Sequence, residues 1–115
     1  MAMLPRVNRL KKGKDFERVF KRGKGFEEDF LFIKIAPNHL KVSRFGFIVG
    51  GTVSKKATLR NKVKRRLREI VRVRLSKIKT GFDLALVVRP GLENKKFQEI
   101  ENLIDKLFKK AKIYK

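Results

Sequence analysis

The sequence predicts an α+β sandwich, a mixed β-sheet with helices packed on it. Three observations lead there. Stretches 14–22, 59–72 and 95–111 place apolar residues at helical spacing, while 25–35, 44–49 and 82–88 are β-rich apolar runs. The 82–88 run, Phe-Asp-Leu-Ala-Leu-Val-Val, is nearly all apolar, as a central or parallel strand is. The 59–72 helix stands between that run and the strand before it, which is the connection a parallel pair needs. At 115 residues, with 42% hydrophobic residues and ten Phe, the chain has the size and apolar content of one domain, 1–115.

Residues 1–12 carry Arg6, Arg9, Lys11 and Lys12 and no acid, and read as an irregular basic N-terminal arm, with Leu4, Val7 and Leu10 available to tack it down. From Lys14 to Arg22, Phe16, Val19 and Phe20 share one helical face, and Gly23 is placed to end the helix with a left-handed cap. Two Phe on a helix pack into a core or line a groove that stacks unpaired bases; Lys12, Lys14 and Lys21 nearby keep both readings open. Gly25–Ile35 reads as one or two strands, with Leu31, Ile33 and Ile35 on one side and Phe30, Phe32 and Lys34 on the other. Both sides are apolar, so both are covered or one lines a cleft. Pro37-Asn38-His39 is a loop, and its single His reads as a solvated side chain. Arg44–Val49 is a strand ending at Gly50-Gly51, and Ser54 or Thr58 is a candidate N-cap for the helix that follows. Thr80-Gly81 turns into the 82–88 strand, and Arg89-Pro90-Gly91 stops it. The last helix carries the stripe Phe97, Ile100, Leu103, Ile104, Leu107, Phe108, Ala111 beneath a wet face of mixed sign.

The formal charge is +21, a surplus that repels itself in a compact chain and favours a polyanion such as RNA, DNA or an anionic membrane. It concentrates on the helix Leu59–Arg72. Val63, Leu67, Ile70 and Val71 form its buried stripe. Asn61, Arg65, Arg68 and Arg72 oppose them, Arg60, Lys62, Lys64 and Arg66 fill the flanks, and Glu69 is the lone acid. Like charges spaced i,i+4 disfavour a helix unless an anion lies along the face. The arginines offer planar forks matched to phosphate, and Asn61 can bond a base edge or a 2′-hydroxyl. A basic solvated helix is the plain alternative. The unbroken face and the amide within it favour nucleic acid.

With no cysteine, disulfides, thiol catalysis and Cys-ligated metals are excluded, and a reducing compartment, the cytoplasm, is expected. No apolar run reaches the ~18 residues of a membrane span, and the apolar stripes are committed to a core, so no membrane partner is expected. Walker, Rossmann and zinc spacings are missing. Glu27-Glu28-Asp29 alternate across a strand and do not converge on a metal. No catalytic or metal-ligating residue is assigned.

Arg60-Asn61-Lys62-x-Lys64-Arg65-x-x-Arg68 resembles the signature of the bacterial ribonuclease P protein subunit. Arg9-Leu10 and Asp15-Phe16-x-x-Val19-Phe20-x-x-Gly23 resemble that family's N-terminal segment, and the Asp83 strand and the last helix fit as well. The resemblance spans nearly the whole chain. It implies an α-β-β-β-α-β-α sandwich similar to domain 2 of ribosomal protein S5, with a left-handed β-α-β crossover where general topology favours a right-handed one. It implies a protein cofactor that joins a catalytic RNA to remove the 5′ leader of precursor tRNA, with Mg2+ held mainly by RNA and substrate. By that likeness Arg60, Asn61, Lys62, Lys64, Arg65 and Arg68, with Arg72 on the same face, contact ribonuclease P RNA. Phe16, Phe20, Phe32 and Lys34, with Arg9 and Lys12 beside them, line the leader cleft. Lys34 stands where some members have an aromatic residue. No obligate protein partner is implied. The alternative is a structural ribosomal RNA-binding protein of related fold, which has no need of an aromatic cleft.

Overall fold

A computed structural model describes residues 3–115; Met1 and Ala2, the first two residues of the expected arm, lie outside the described residues. The elements are α1 (Gly13–Arg22), β1 (Lys24–Glu28), β2 (Leu31–Pro37), β3 (Arg44–Ile48), α2 (Ala57–Arg72), β4 (Phe82–Val88) and α3 (Phe97–Lys110), the order the sequence predicts. The strands form one mixed sheet in the order β1-β2-β4-β3. β1 runs antiparallel to β2 and β2 to β4, while β3 and β4, joined through α2, are parallel. None of the described helices is long and apolar enough to cross a membrane.

The two faces of the sheet differ in what covers them. Leu31, Ile33, Phe45, Leu84, Leu86 and Val88 point to one side and form the main core with Val63, Leu67, Ile70 and Val71 of α2 and Ile100, Ile104, Leu107 and Phe108 of α3. Both predicted helical stripes face that core, with Leu103 and Ala111 only partly buried and Phe97 39% exposed. On the other side Leu10, Val19, Ala36 and Ala85 make a small second cluster, with Phe16 and Phe20 of α1 packed against it. Ala36, Ala85 and Gly46 lie beneath α1, and their small size lets the helix sit close.

Four local expectations are corrected. Gly23 is extended (φ −77°, ψ 157°), with no left-handed cap. Glycine is needed there for close approach, since a Cβ would fall 2.3 Å from the Val19 carbonyl oxygen. Phe30 is not a strand residue. It occupies the β1–β2 turn at φ 65°, with Lys95 Nζ 5.0 Å from its ring centroid. Neither Ser54 nor Thr58 caps α2: Lys56 is the N-cap residue, Ser54 Oγ accepts from the Lys56 N–H one step early, and Thr58 lies inside the helix. The arm is docked as well. Leu4 and Leu10 are buried, Val7 is exposed, and Arg9 bridges to Phe45 in parallel fashion. The Leu10 N–H donates to the Phe45 carbonyl at 2.9 Å, giving the edge strand β3 a partner on its open side.

Candidate RNA interface

Two cationic surfaces emerge. The first is the outer face of α2. Burial of Val63, Leu67, Ile70 and Val71 fixes the helix's rotation and turns Asn61, Lys62 and Arg65 fully outward, with Lys64 and Arg68 half-exposed. Among the described residues, these five make no side-chain hydrogen bond or ion pair. The other two predicted members differ. Arg60 Nη1 donates to the Ser54 carbonyl at 2.9 Å, which staples the entry loop to the first turn. Arg72 forks onto Glu69 through Nε (2.9 Å) and Nη2 (2.6 Å). That hydrogen bond and charge hold the Glu69 carboxyl below its ordinary range and raise the Arg72 guanidinium above its own. Beyond the helix end, Arg74 donates to Asp105, Glu101 and the Ile70 carbonyl. The unpaired charge therefore concentrates between Asn61 and Arg68.

The second surface is the α1 side of the sheet. Strand register lays its residues in rows. Gly25, Lys34, Ala85 and Gly46 form one row, and Ala36, Asp83 and Arg44 the next. α1 covers these two, and its Phe16 ring rests on Gly46 so closely that a Cβ there would be 2.2 Å from the ring. The row before them, Glu27, Phe32, Val87 and Ile48, is left half-open. Phe16 and Phe20 are half-buried: they pack against the sheet and still present ring surface.

Asp83 locks the far flank of α1. It is fully buried and accepts from Arg44 Nε and Nη2 (2.8 and 2.7 Å), from Asn38 Nδ2 (2.9 Å) and from Arg18 of α1. Arg44 also faces Asp15 of α1 at 3.5 Å. Burial pushes the Asp83 carboxyl up, but hydrogen bonds from Arg44 and Asn38 and the charges of Arg44 and Arg18 outweigh it and hold its pKa below the usual aspartate value.

Of the remaining expected cleft residues, Lys12 is exposed at the N-cap of α1, and Lys34 Nζ donates to the Gly23 carbonyl at 3.3 Å. Arg9 is not brought to the cleft. It pairs with Phe45, whose side chain belongs to the opposite face, and its Nε donates to the Leu4 carbonyl at 2.7 Å. The neighbour, Leu10, is the residue that packs under α1. Arg89, which the sequence offered only as part of a strand stop, belongs to the open row: its guanidinium lies 5.6 Å from the Phe32 ring centroid. Its parity with Asp83, Ala85 and Val87 was the available signal. No group of three His, Asp or Glu gathers to hold a metal among the described residues, and Glu27, Glu28, Asp83 and Asp105 are each engaged by Arg or Lys.

The family described as Ribonuclease P matches residues 4–112 of this chain. A ribonuclease P protein component from Clostridium botulinum strain 657 is 36% identical over 108 residues, covering 93% of this chain and 96% of that protein. Among solved structures, the RNase P protein of Staphylococcus aureus superposes with a TM-score of 0.86 at 28% identity, covering 94% of this chain and 98% of that one. The RNase P protein of Thermotoga maritima gives 0.81 at 32% identity, covering 89% and 96%.

Proposed function

The chain belongs to the ribonuclease P protein family, and from that premise we propose that it supports removal of the 5′ leader from precursor tRNA by binding both the RNA subunit and the leader. Membership implies a ribonuclease P holoenzyme with its RNA as partner. The observation that carries the finer reading is the presence, in one fold, of two unlike cationic surfaces on opposite sides of one sheet. The α2 face offers unpaired cations with no aromatic among them, which suits phosphates held in a fixed array. Asn61, Lys62, Lys64, Arg65 and Arg68 carry this contact, while Arg60 and Arg72 shape it. The open row beside α1 offers ring surface from Phe16, Phe20 and Phe32 with cations at its rim, which suits an unpaired strand. β3 leaves the sheet at Ile48, in that row, and residues 49–56 connect it to the start of α2.

On this reading the protein binds and orients and does no bond-breaking of its own. Among the described residues no three acidic side chains gather in a way that fits Mg2+, so on this reading the ion would be held by the RNA subunit and the substrate, where it would supply activation of water for phosphodiester hydrolysis. A bacterial cytoplasm is the matching location. The ribosomal alternative gains no support from the family match and leaves the half-open aromatic row without a use.

Reconstitution tests the reading. Protein, a bacterial ribonuclease P RNA transcript and a leader-bearing precursor tRNA are combined at Mg2+ too low for the RNA alone. Cleavage at the mature 5′ end is expected only when both subunits are present. Tight RNA binding without rescued cleavage would overturn the assignment of role.

A further inference from the structure

The open row contains one carboxylate, Glu27, and it sits against the row's own cation. Arg89 Nη2 donates to Glu27 Oε2 at 2.8 Å while the guanidinium stays over Phe32. Glu27 is also the cross-strand partner of Phe32. The other paired acids join separate elements or settle a helix. Asp83 ties α1 to the sheet, Asp105 joins α3 to the end of α2, and Glu28 meets Lys110 of α3. The Glu27–Arg89 pair joins segments that the backbone already holds, because the Arg89 N–H donates to the Phe30 carbonyl at 2.9 Å. Its side chains are 65% and 47% exposed, so it adds little stability. What it does is occupy, with a carboxylate, a guanidinium edge that would otherwise be open to phosphate.

We propose that Glu27 is a specificity-tuning residue of the leader cleft: its carboxylate stands in for phosphate on Arg89 and must be displaced when a single-stranded leader enters. This rests on the leader reading above. Two consequences follow from the geometry. Leader affinity is held below what Arg89 and Phe32 would give alone, and a cleaved leader is released faster because the carboxylate reclaims the guanidinium. The displacement exchanges one anion for another and forms no covalent bond.

The test uses holoenzyme reconstituted with ribonuclease P RNA and two substrates, leader-bearing precursor tRNA and mature tRNA. Glu27→Gln keeps shape and removes charge. It is expected to tighten precursor binding about two- to fivefold, the scale of one exposed ion pair. Mature tRNA binding and thermal stability should be unchanged, and the gain should vanish in an Arg89→Gln background. Glu99→Gln, the same charge change on α3, controls for net charge. An equal gain from Glu99→Gln, a gain that survives Arg89→Gln, or no gain at all would overturn the proposal. A Phe16→Leu/Phe20→Leu variant separates the two levels. If it weakens precursor and mature tRNA equally, the leader reading itself fails and takes the proposal with it. If it weakens the precursor selectively while Glu27→Gln does nothing, only the role of Glu27 is lost.

Discussion

The outer face of α2 and the α1 side of the sheet are both cationic, yet they are built on opposite plans. α2 commits its whole apolar stripe to the core and leaves the other side to charge, so its positive groups stand on a rigid rod with no competing hydrophobic surface. The α1 side keeps part of its apolar surface unspent. α1 rests on Gly46, Ala36 and Ala85 and stops short of the Phe32–Val87–Ile48 row. One surface can hold only what carries phosphates in a fitting array. The other, on the proposed reading, also accepts bases removed from their stack. The contrast is equally plain within the main core layer, where α3 mixes signs on its wet face and α2 carries the single acid Glu69.

If the two surfaces are independent, damage to one should spare the other. The largest effect on binding is expected from reversing charge on the rod. Arg65→Glu with Arg68→Glu should weaken binding to the ribonuclease P RNA on the order of 100-fold at moderate salt and flatten the salt dependence. Circular dichroism and melting should stay near wild type, because neither side chain has a partner to lose among the described residues. Unchanged affinity would remove α2 from the interface.

Next is the clamp that seats α1. Asp83→Asn leaves Arg44 and Arg18 facing each other without a buried anion and should cost about 3 kcal/mol of stability, read by denaturant midpoint. The same clamp sets a pH dependence. Because the native pKa of Asp83 is lowered, its stabilisation is complete above the unfolded value of about 4. It is lost as pH falls through the lower native value, where the unfolded chain takes up the proton first. Wild type should therefore lose stability on acidification more steeply than Asp83→Asn, and parallel profiles would contradict the clamp. The smallest of these changes is Phe20→Leu, expected to cost leader-bearing precursor about 1 kcal/mol or more relative to mature tRNA by competition binding. An equal loss on both substrates would make Phe20 a packing residue only.

Patterns local in sequence were legible, and side-chain contacts between distant segments were not. The α2 stripe, the buried β4 strand and the parallel β3–β4 pair follow from spacing and hydrophobicity. The N-cap failed because Ser54 spends its hydroxyl on a turn just before the helix, an outcome that composition does not distinguish from capping. Gly23 was read as a conformational glycine when its reason lies in the approach of Val19 and Ile35 backbone. The resemblance sets Arg9 beside the cleft, while its bridge to Phe45 puts it in register with the other face of the sheet, and that register against β3 is long-range information. Asn38, set aside as a loop residue, holds Asp83 for the same reason.

The strand order carries a consequence for how the protein acquires its shape. β2 and β3 are close in sequence but never touch as neighbours, since β4 lies between them. Of the pairings within the four-stranded sheet, only the β1–β2 hairpin can form early as the chain is synthesised. β3 waits for residues 82–88, and α1, although made near the beginning, has no Asp83 or Ala85 to rest on until the same segment arrives. Long-range pairing of this kind raises contact order and slows folding. The groove beside α1 is thus a late product of folding. A nascent chain can display its run of cations between Arg60 and Arg72 before any groove exists, so its first encounters with polyanions would be governed by charge, and discrimination by shape would come only once β4 has slipped into the middle of the sheet.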